Sequence, residues 1–374
     1  MIMINEVFMN GLCGVILALL LAFTTTPAVR AFAYILGAID VPKDNRRMHT
    51  KPIPRIGGLA IFVSFVVSTA IFCEHTDSLL AIYAGGLLIV IVGVIDDIKP
   101  INAWFKLLAQ IAAALIAVGF GVKLNFVNLF GEYFNFGIWS IPLTVLWIVG
   151  LTNAINLIDG LDGLACGVSA ISSVSLFFIT LIKGDTQSAI IIAILASSCI
   201  GFLPFNSNPA KIFMGDTGAL FLGYTLAVFS IEGVFKMHTV LSFLIPIAVF
   251  ALPLFDTVNA FTRRLLKHKS PFSPDKNHLH HKLIERGFSQ KQSVYIIYAI
   301  CAILGLASVT YTGANPGKAL IILGVGFAVL GCYLFLISKY GFSSKKGFGI
   351  ESETLEMLSC ENENKNISDK NGEV

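Results

Sequence analysis

This chain carries little charge. Of 374 residues, 13% are Asp, Glu, Lys or Arg and 55% are hydrophobic. Soluble globular domains carry about a quarter charged residues, so the deficit excludes an ordinary water-soluble fold and points to a membrane. The net charge of +3 is too small to draw in nucleic acid, and no such partner is expected. Cysteine is sparse too: Cys13, Cys73, Cys166, Cys199, Cys301, Cys332 and Cys360 are placed singly. No pair has zinc-site spacing, and an odd number argues against a disulfide framework. Most lie in apolar runs, where a thiol behaves as a small hydrophobe. The first apolar run also lacks the basic residues that precede a cleaved signal. Glu6 stands there instead, so the run is read as a retained helix. No internal repeat is evident.

What is present is apolar runs of membrane length. A spanning helix needs about 20 predominantly apolar residues, and eleven runs qualify: 8–29, 56–73, 79–95, 104–120, 138–154, 164–182, 188–204, 217–235, 239–257, 293–311 and 317–338. The expected fold is an all-α integral membrane protein of about eleven transmembrane helices. Basic residues set its orientation. Arg30, Lys43, Arg46, Arg47, Lys51 and Arg55 fall on one side, as do Arg263, Arg264, Lys267 and Lys269. The other side holds only Lys123, Lys183 and Lys236, with Lys318 opening the last run. The N-terminus is therefore expected outside, and the C-terminus inside. Residues 1–338 are expected to form one polytopic membrane domain, and 339–374 have the polar composition of a disordered cytoplasmic tail. Segment 121–137 alternates apolar and polar residues around Gly131. It reads as a short hairpin or as an aromatic interfacial loop.

The acids gather on the expected inner side. Asp96 and Asp97 (VIDDIKP), Asp159 and Asp162 (NLIDGLDG) and Asp216 (FMGDTG) each sit where an apolar run meets an inner loop. A carboxylate there is costly unless hydrated, paired or bound to a cation, so three such ends suggest one shared cation site. Adjacent Asp96 and Asp97 are like charges side by side and call for a compensating ion. Asn153, Asn156, Asp159 and Asp162 step by three and share a face if the helix continues through them. Asp216 and Thr217 open a run among glycines, where they serve as a helix cap or as a diphosphate cradle. An acid there suits Mg²⁺, which takes one or two carboxylates along with phosphate oxygens and water.

His278, His280 and His281 form the string HLHH in the longest inner loop, beside Arg263, Arg264, Lys267, Lys276 and Lys282. Zinc fits poorly among so many cations and with no cysteine near. Phosphate binding with a donor or acid–base histidine fits better, and a plain basic juxtamembrane loop remains the alternative. Mg²⁺, several acids, a basic histidine loop and access to both water and lipid are the parts of a phosphoryl-transfer site.

These motifs resemble those of the polyprenyl-phosphate N-acetylhexosamine-1-phosphate transferases, from about Asp40 to about Gln292. The matching strings are DVPKDNRRMHTKPIPRIGG, GVIDDIKP, NAINLIDGLDGLA, NSNPAKIFMGDTGALFLG and SPDKNHLHHKL. The resemblance implies exchange of the UMP of a UDP-sugar for a lipid phosphate at the cytoplasmic face. It assigns Asp159 and Asp216 to Mg²⁺ (Mn²⁺ able to substitute) with Asp97 close by. Asp96 becomes the base or positioner for the lipid phosphate. Asp162, Asn206 and Phe213 match positions that read or stack on uracil, and Asn156 lines the sugar-nucleotide pocket. Lys51 and Arg55 lie near the basic nucleotide contact, and His278, His280 and His281 join the catalytic set. HLHH, rather than three histidines in a row, places the chain with the branch that takes UDP-GlcNAc and undecaprenyl phosphate in the bilayer. A homodimer is left open. The alternatives are the UDP-MurNAc-pentapeptide branch and, more remotely, a transporter. A transporter would place ionisable groups near the bilayer midplane, whereas the middles of these runs hold almost none. CDP-alcohol transferases carry an Arg that is missing after Asp159-Gly160, and intramembrane prenyltransferases carry a third acid that DDIKP lacks.

Overall fold

The computed structural model describes residues 2–41, 52–129, 132–235, 244–267, 278–313 and 315–336. Contacts divide the chain into two units, 1–323 and 324–374. The first opens with helix α1 (Ile2–Leu36), the two-residue strands β1 (Ile39–Asp40) and β2 (Ile53–Pro54), then α2 (Gly58–Phe72), α3 (Asp77–Ile98) and α4 (Ala103–Gly119). A hairpin of β3 (Phe126–Leu129) and β4 (Glu132–Asn135) leads into α5 (Ser140–Ile158), α6 (Leu164–Ile182), α7 (Thr186–Asn206) and α8 (Gly215–Ser230). Then come the short α9 (Leu244–Val249), α10 (Ala251–Leu266), α11 (Leu279–Glu285) and α12 (Gln290–Thr312). Helix α13 (Pro316–Leu336) runs into the second unit. The expected tail 339–374 lies outside the described residues.

The described residues are nearly all helical, and among them seven helices are long and apolar enough to cross a membrane. Gly58–Phe72 and Ala103–Gly119 are apolar but shorter. Such helices face lipid with residues that a soluble protein would hide. On α3, Leu87, Ile91 and Ile95 recur every fourth residue and stay about half exposed (49%, 49% and 50%). The hairpin reading of segment 121–137 is met: Phe126 faces Asn135 and Leu129 faces Glu132 in an antiparallel pair.

Two readings are corrected. The run 239–257 is not one continuous helix. Residues 239–243 lie outside the described set, and Phe250 breaks the helical path between α9 and α10. Helix α10 then continues to Leu266, because Arg263 and Arg264 end the apolar run without ending the helix. Likewise the stripe Asn153, Asn156, Asp159, Asp162 is not one helical face. Helix α5 stops at Ile158, and Gly163 adopts φ +77 as the chain turns into α6.

Helix α8 is the centre of the fold. All of it except Asp216 is buried, from Gly215 to Ser230, as expected for a helix apolar all round. It packs against α3 and α5, with α2 on a third side. Close approach depends on small residues. A Cβ on Gly58 of α2 would strike the Gly218 backbone, and one on Gly93 of α3 would lie 2.5 Å from Thr217 Cα. These contacts pin the first turn of α8 to the end of α3, and that end carries Asp96 and Asp97.

Candidate active site

The start of α8 is held from two directions. Phe213 N–H donates to Pro54 O (2.8 Å), while Gly57 and Gly58 N–H donate to Phe213 O and Met214 O (2.9 and 2.8 Å). The chain then turns sharply at Gly215, φ +71, where a Cβ would also collide with Arg55 O and the Asp97 carboxylate. Only glycine serves at such a position. From the other side Asp97 caps the helix. Its Oδ1 accepts Asp216 N–H (3.0 Å), and its Oδ2 accepts Thr217 N–H (3.0 Å) and Thr217 Oγ1–H (2.7 Å). A carboxylate on a helix N-terminus meets orphan donors and the positive end of the dipole together. Arg55 Nε stands 3.7 Å from Asp97 Oδ1.

A lysine that the motif reading passed over links the acids. Lys106 Nζ lies 2.6 Å from Asp96 Oδ2 and 2.7 Å from Asp216 Oδ2. Asp96 Oδ1 accepts Ile101 N–H (2.8 Å), so both Asp96 oxygens are engaged. One turn further along α4, Gln110 exchanges hydrogen bonds with Asn153 of α5 (3.3 and 2.5 Å). The signal for Lys106 was in the sequence: it is an ionisable residue inside the apolar run 104–120, and such residues are functional by default.

The end of α5 supplies Asp159. Burial first, then the nearby Asp216 and Asp97 carboxylates, push its carboxyl up to about 8. Among the described residues its side chain receives no hydrogen bond. Asp162 behaves differently: its Oδ2 accepts Asn208 Nδ2–H (2.9 Å) and Ala210 N–H (3.0 Å), fastening the loop between α7 and α8. Asn206 donates to Ile212 O (3.0 Å), and its Oδ1 is buried without a partner among the described residues. Phe213 and Asn156 are half-buried in the same region.

The donor set fits a magnesium ion. Among the described residues no group of three Asp, Glu, His or Cys side chains forms a closed metal cage, but Mg²⁺ binds through one or two carboxylates and keeps water or phosphate oxygens. Asp159, without a donor among the described residues and raised by its neighbours, and Asp216, already bridged by a lysine cation, are the two carboxylates suited to it.

The histidines meet this cluster from above the α5 end. A Cβ on Gly160 would fall on His280 Nε2, so the HLHH string packs directly on the IDG turn. The His278 and His280 rings are parallel, 2° apart with centroids at 5.7 Å, and His281 lies 4.3 Å from His280. Burial, then the neighbouring His281 and His278, lower His280 to about 4, so its ring is neutral at pH 7. Asp256, on α10, takes His278 Nδ1 on Oδ2 (2.8 Å) and Leu279 N–H on Oδ1 (3.0 Å). Arg263 and Arg264 occupy the last turn of α10, half-buried. Lys51, Asp275 and Lys276 lie outside the described residues.

Helix ends pooling carboxylates, a lysine and histidines in an apolar bundle define a polytopic membrane enzyme. The pattern of Glycosyl transferase family 4 matches residues 79–234. A Bacillus subtilis (strain 168) protein named probable undecaprenyl-phosphate N-acetylglucosaminyl 1-phosphate transferase is 40% identical over 324 residues, 86% of this chain and 90% of the relative. The decaprenyl-phosphate N-acetylglucosaminephosphotransferase of Mycolicibacterium smegmatis is 33% identical, covering 83% of this chain and 84% of its own. The undecaprenyl-phosphate alpha-N-acetylglucosaminyl 1-phosphate transferase of Escherichia coli K12 is 28% identical, covering 86% and 87%. The chain belongs to glycosyl transferase family 4.

Proposed function

We propose that this enzyme transfers GlcNAc-1-phosphate from UDP-GlcNAc to undecaprenyl phosphate, releasing UMP. An oxygen of the lipid phosphate attacks the phosphorus that bears the sugar. A new P–O–P linkage forms, the bond from that phosphorus to the oxygen bridging to UMP breaks, and UMP carries the electron pair away. The names of the relatives support the reaction class. The observation that carries the reading is the convergence of Asp96, Asp97 and Asp216 from two helix ends around Lys106, with Asp159 alongside.

The resemblance, together with that geometry, supports the following roles. Asp97 fixes the α8 terminus and thereby Asp216. Asp159 and Asp216 would hold Mg²⁺, which when bound neutralises charge on the transferring phosphoryl group. Asp96, paired with Lys106, positions the lipid phosphate. Asn206 and Phe213, with Asp162 ordering the loop they flank, are offered to the uracil, and Asn156 to the sugar nucleotide. Arg55 and Lys51 serve the nucleotide phosphates, while Arg263 and Arg264 suit an anionic lipid head group. His278, His280 and His281 face the diphosphate from the HLHH side. Eleven crossings with this site at the inner, cytoplasmic face agree with the basic-residue asymmetry.

HLHH favours UDP-GlcNAc over UDP-MurNAc-pentapeptide as donor. Purified enzyme given undecaprenyl phosphate and each donor in turn should release UMP faster from UDP-GlcNAc. Faster turnover of the pentapeptide donor would overturn that choice.

A further inference from the structure

Asp256 belongs to none of the acid motifs around Lys106, yet it is 6% exposed and both of its oxygens are in use. A carboxylate only accepts hydrogen bonds. Its contact with His278 Nδ1 therefore places a proton on that nitrogen, and its contact with Leu279 N–H fixes the backbone where α11 begins. His278, 5% exposed, in turn stacks parallel on His280, whose Nε2 packs on Gly160 beside Asp159. We infer that Asp256 is a positioning residue: it holds His278 with a proton on Nδ1 and so sets the register of the histidines over the acid cluster. This rests on the transfer reaction proposed above.

The chemistry of asparagine makes the idea testable. A backbone N–H can only donate, so in Asp256→Asn the amide oxygen must face Leu279 and the NH₂ must face His278 Nδ1. That arrangement forces the opposite tautomer, with the proton on Nε2. A wrong tautomer at a histidine positioned by an aspartate can cost about 10⁴ in kcat. We expect a loss of at least about tenfold in kcat with KM for UDP-GlcNAc changed less than about threefold, the pattern of an interaction made mainly in the transition state. In a His278→Ala background the same Asp256→Asn change should cost less than about threefold more, because the two residues act as a unit. Asp256→Glu keeps the acceptor and should retain more activity than Asp256→Asn.

The tautomer is read independently of turnover, by NMR of ¹⁵N-histidine-labelled protein in detergent. The His278 signal is the one lost in His278→Ala. Wild type and Asp256→Glu should show Nδ1–H, and Asp256→Asn should show Nε2–H. An unchanged tautomer in Asp256→Asn, or losses that multiply in the double variant, would overturn the inference. If the tautomer switches while wild-type enzyme turns over no UDP-sugar, the positioning stands and the proposed reaction falls.

Discussion

Asp97 is the residue whose removal separates architecture from chemistry. Three donors converge on its two oxygens: the N–H groups of Asp216 and Thr217 and the Thr217 hydroxyl. In Asp97→Asn one oxygen becomes an NH₂. The hydroxyl can rotate to accept from it, but neither backbone N–H can. One buried N–H is left unpaired wherever the amide points, at a cost of about 1–3 kcal/mol. Lost attraction to the helix N-terminus adds about 0.3–2 kcal/mol, roughly offset by relief of repulsion from Asp216 and Asp159. A net loss of about 1–3 kcal/mol is therefore expected in the stability of the purified protein in detergent, together with a fall in kcat as the α8 terminus loosens. Asp216→Asn should differ. Its carboxylate touches only Lys106 among the described residues, so kcat should drop a hundredfold or more (~3 kcal/mol) while stability changes by less than about 1 kcal/mol. Thermal unfolding followed beside UMP release compares the two variants. If Asp97→Asn melted at or above the wild-type temperature, the capping role would be wrong.

Three further outcomes are expected. Lys106→Met should lower activity at least about tenfold, because Asp96 and Asp216 lose the cation between them; wild-type turnover in a UMP-release assay would reject the bridge. Gly160→Ala should reduce kcat while the protein still inserts and purifies, since its Cβ would displace the His280 ring; an unaffected kcat would show that this packing is dispensable. His280 predicts acid sensitivity. Its folded pKa of about 4 lies below the ordinary 6.5, so the unfolded chain takes up the proton first. Stability from this group is complete above pH 6.5 and is lost as pH falls from there toward 4. His280→Gln should flatten that part of the melting-temperature profile, and an unchanged slope would refute the assignment.

Most of the helices were legible because lipid imposes a long apolar run, and hydropathy sees such runs directly. Their ends were less so. Arg30 does not stop α1, and Arg263 and Arg264 do not stop α10, because a helix can emerge from the apolar layer and continue. The break at Phe250 lies between equally apolar stretches, so no change in composition marks it. The acids were found because charge at an apolar boundary is costly, but the partners of each acid depend on tertiary contacts. Asp162 carries the same motif signal as Asp159 and is turned toward Asn208 and Ala210 by Gly163. Lys106 is a single charge within an apolar run, and only tertiary contact reveals that Asp96 and Asp216 share it.

The acids around Lys106 are expected to transfer a sugar together with its phosphate. Purified enzyme incubated with undecaprenyl phosphate, UDP-GlcNAc and Mg²⁺ should yield UMP and lipid-diphospho-GlcNAc in equal amounts. Chelator should stop the reaction, and Asp216→Asn should slow it about a hundredfold or more. Release of UDP with transfer of the sugar alone, or wild-type rates from Asp216→Asn, would contradict the account.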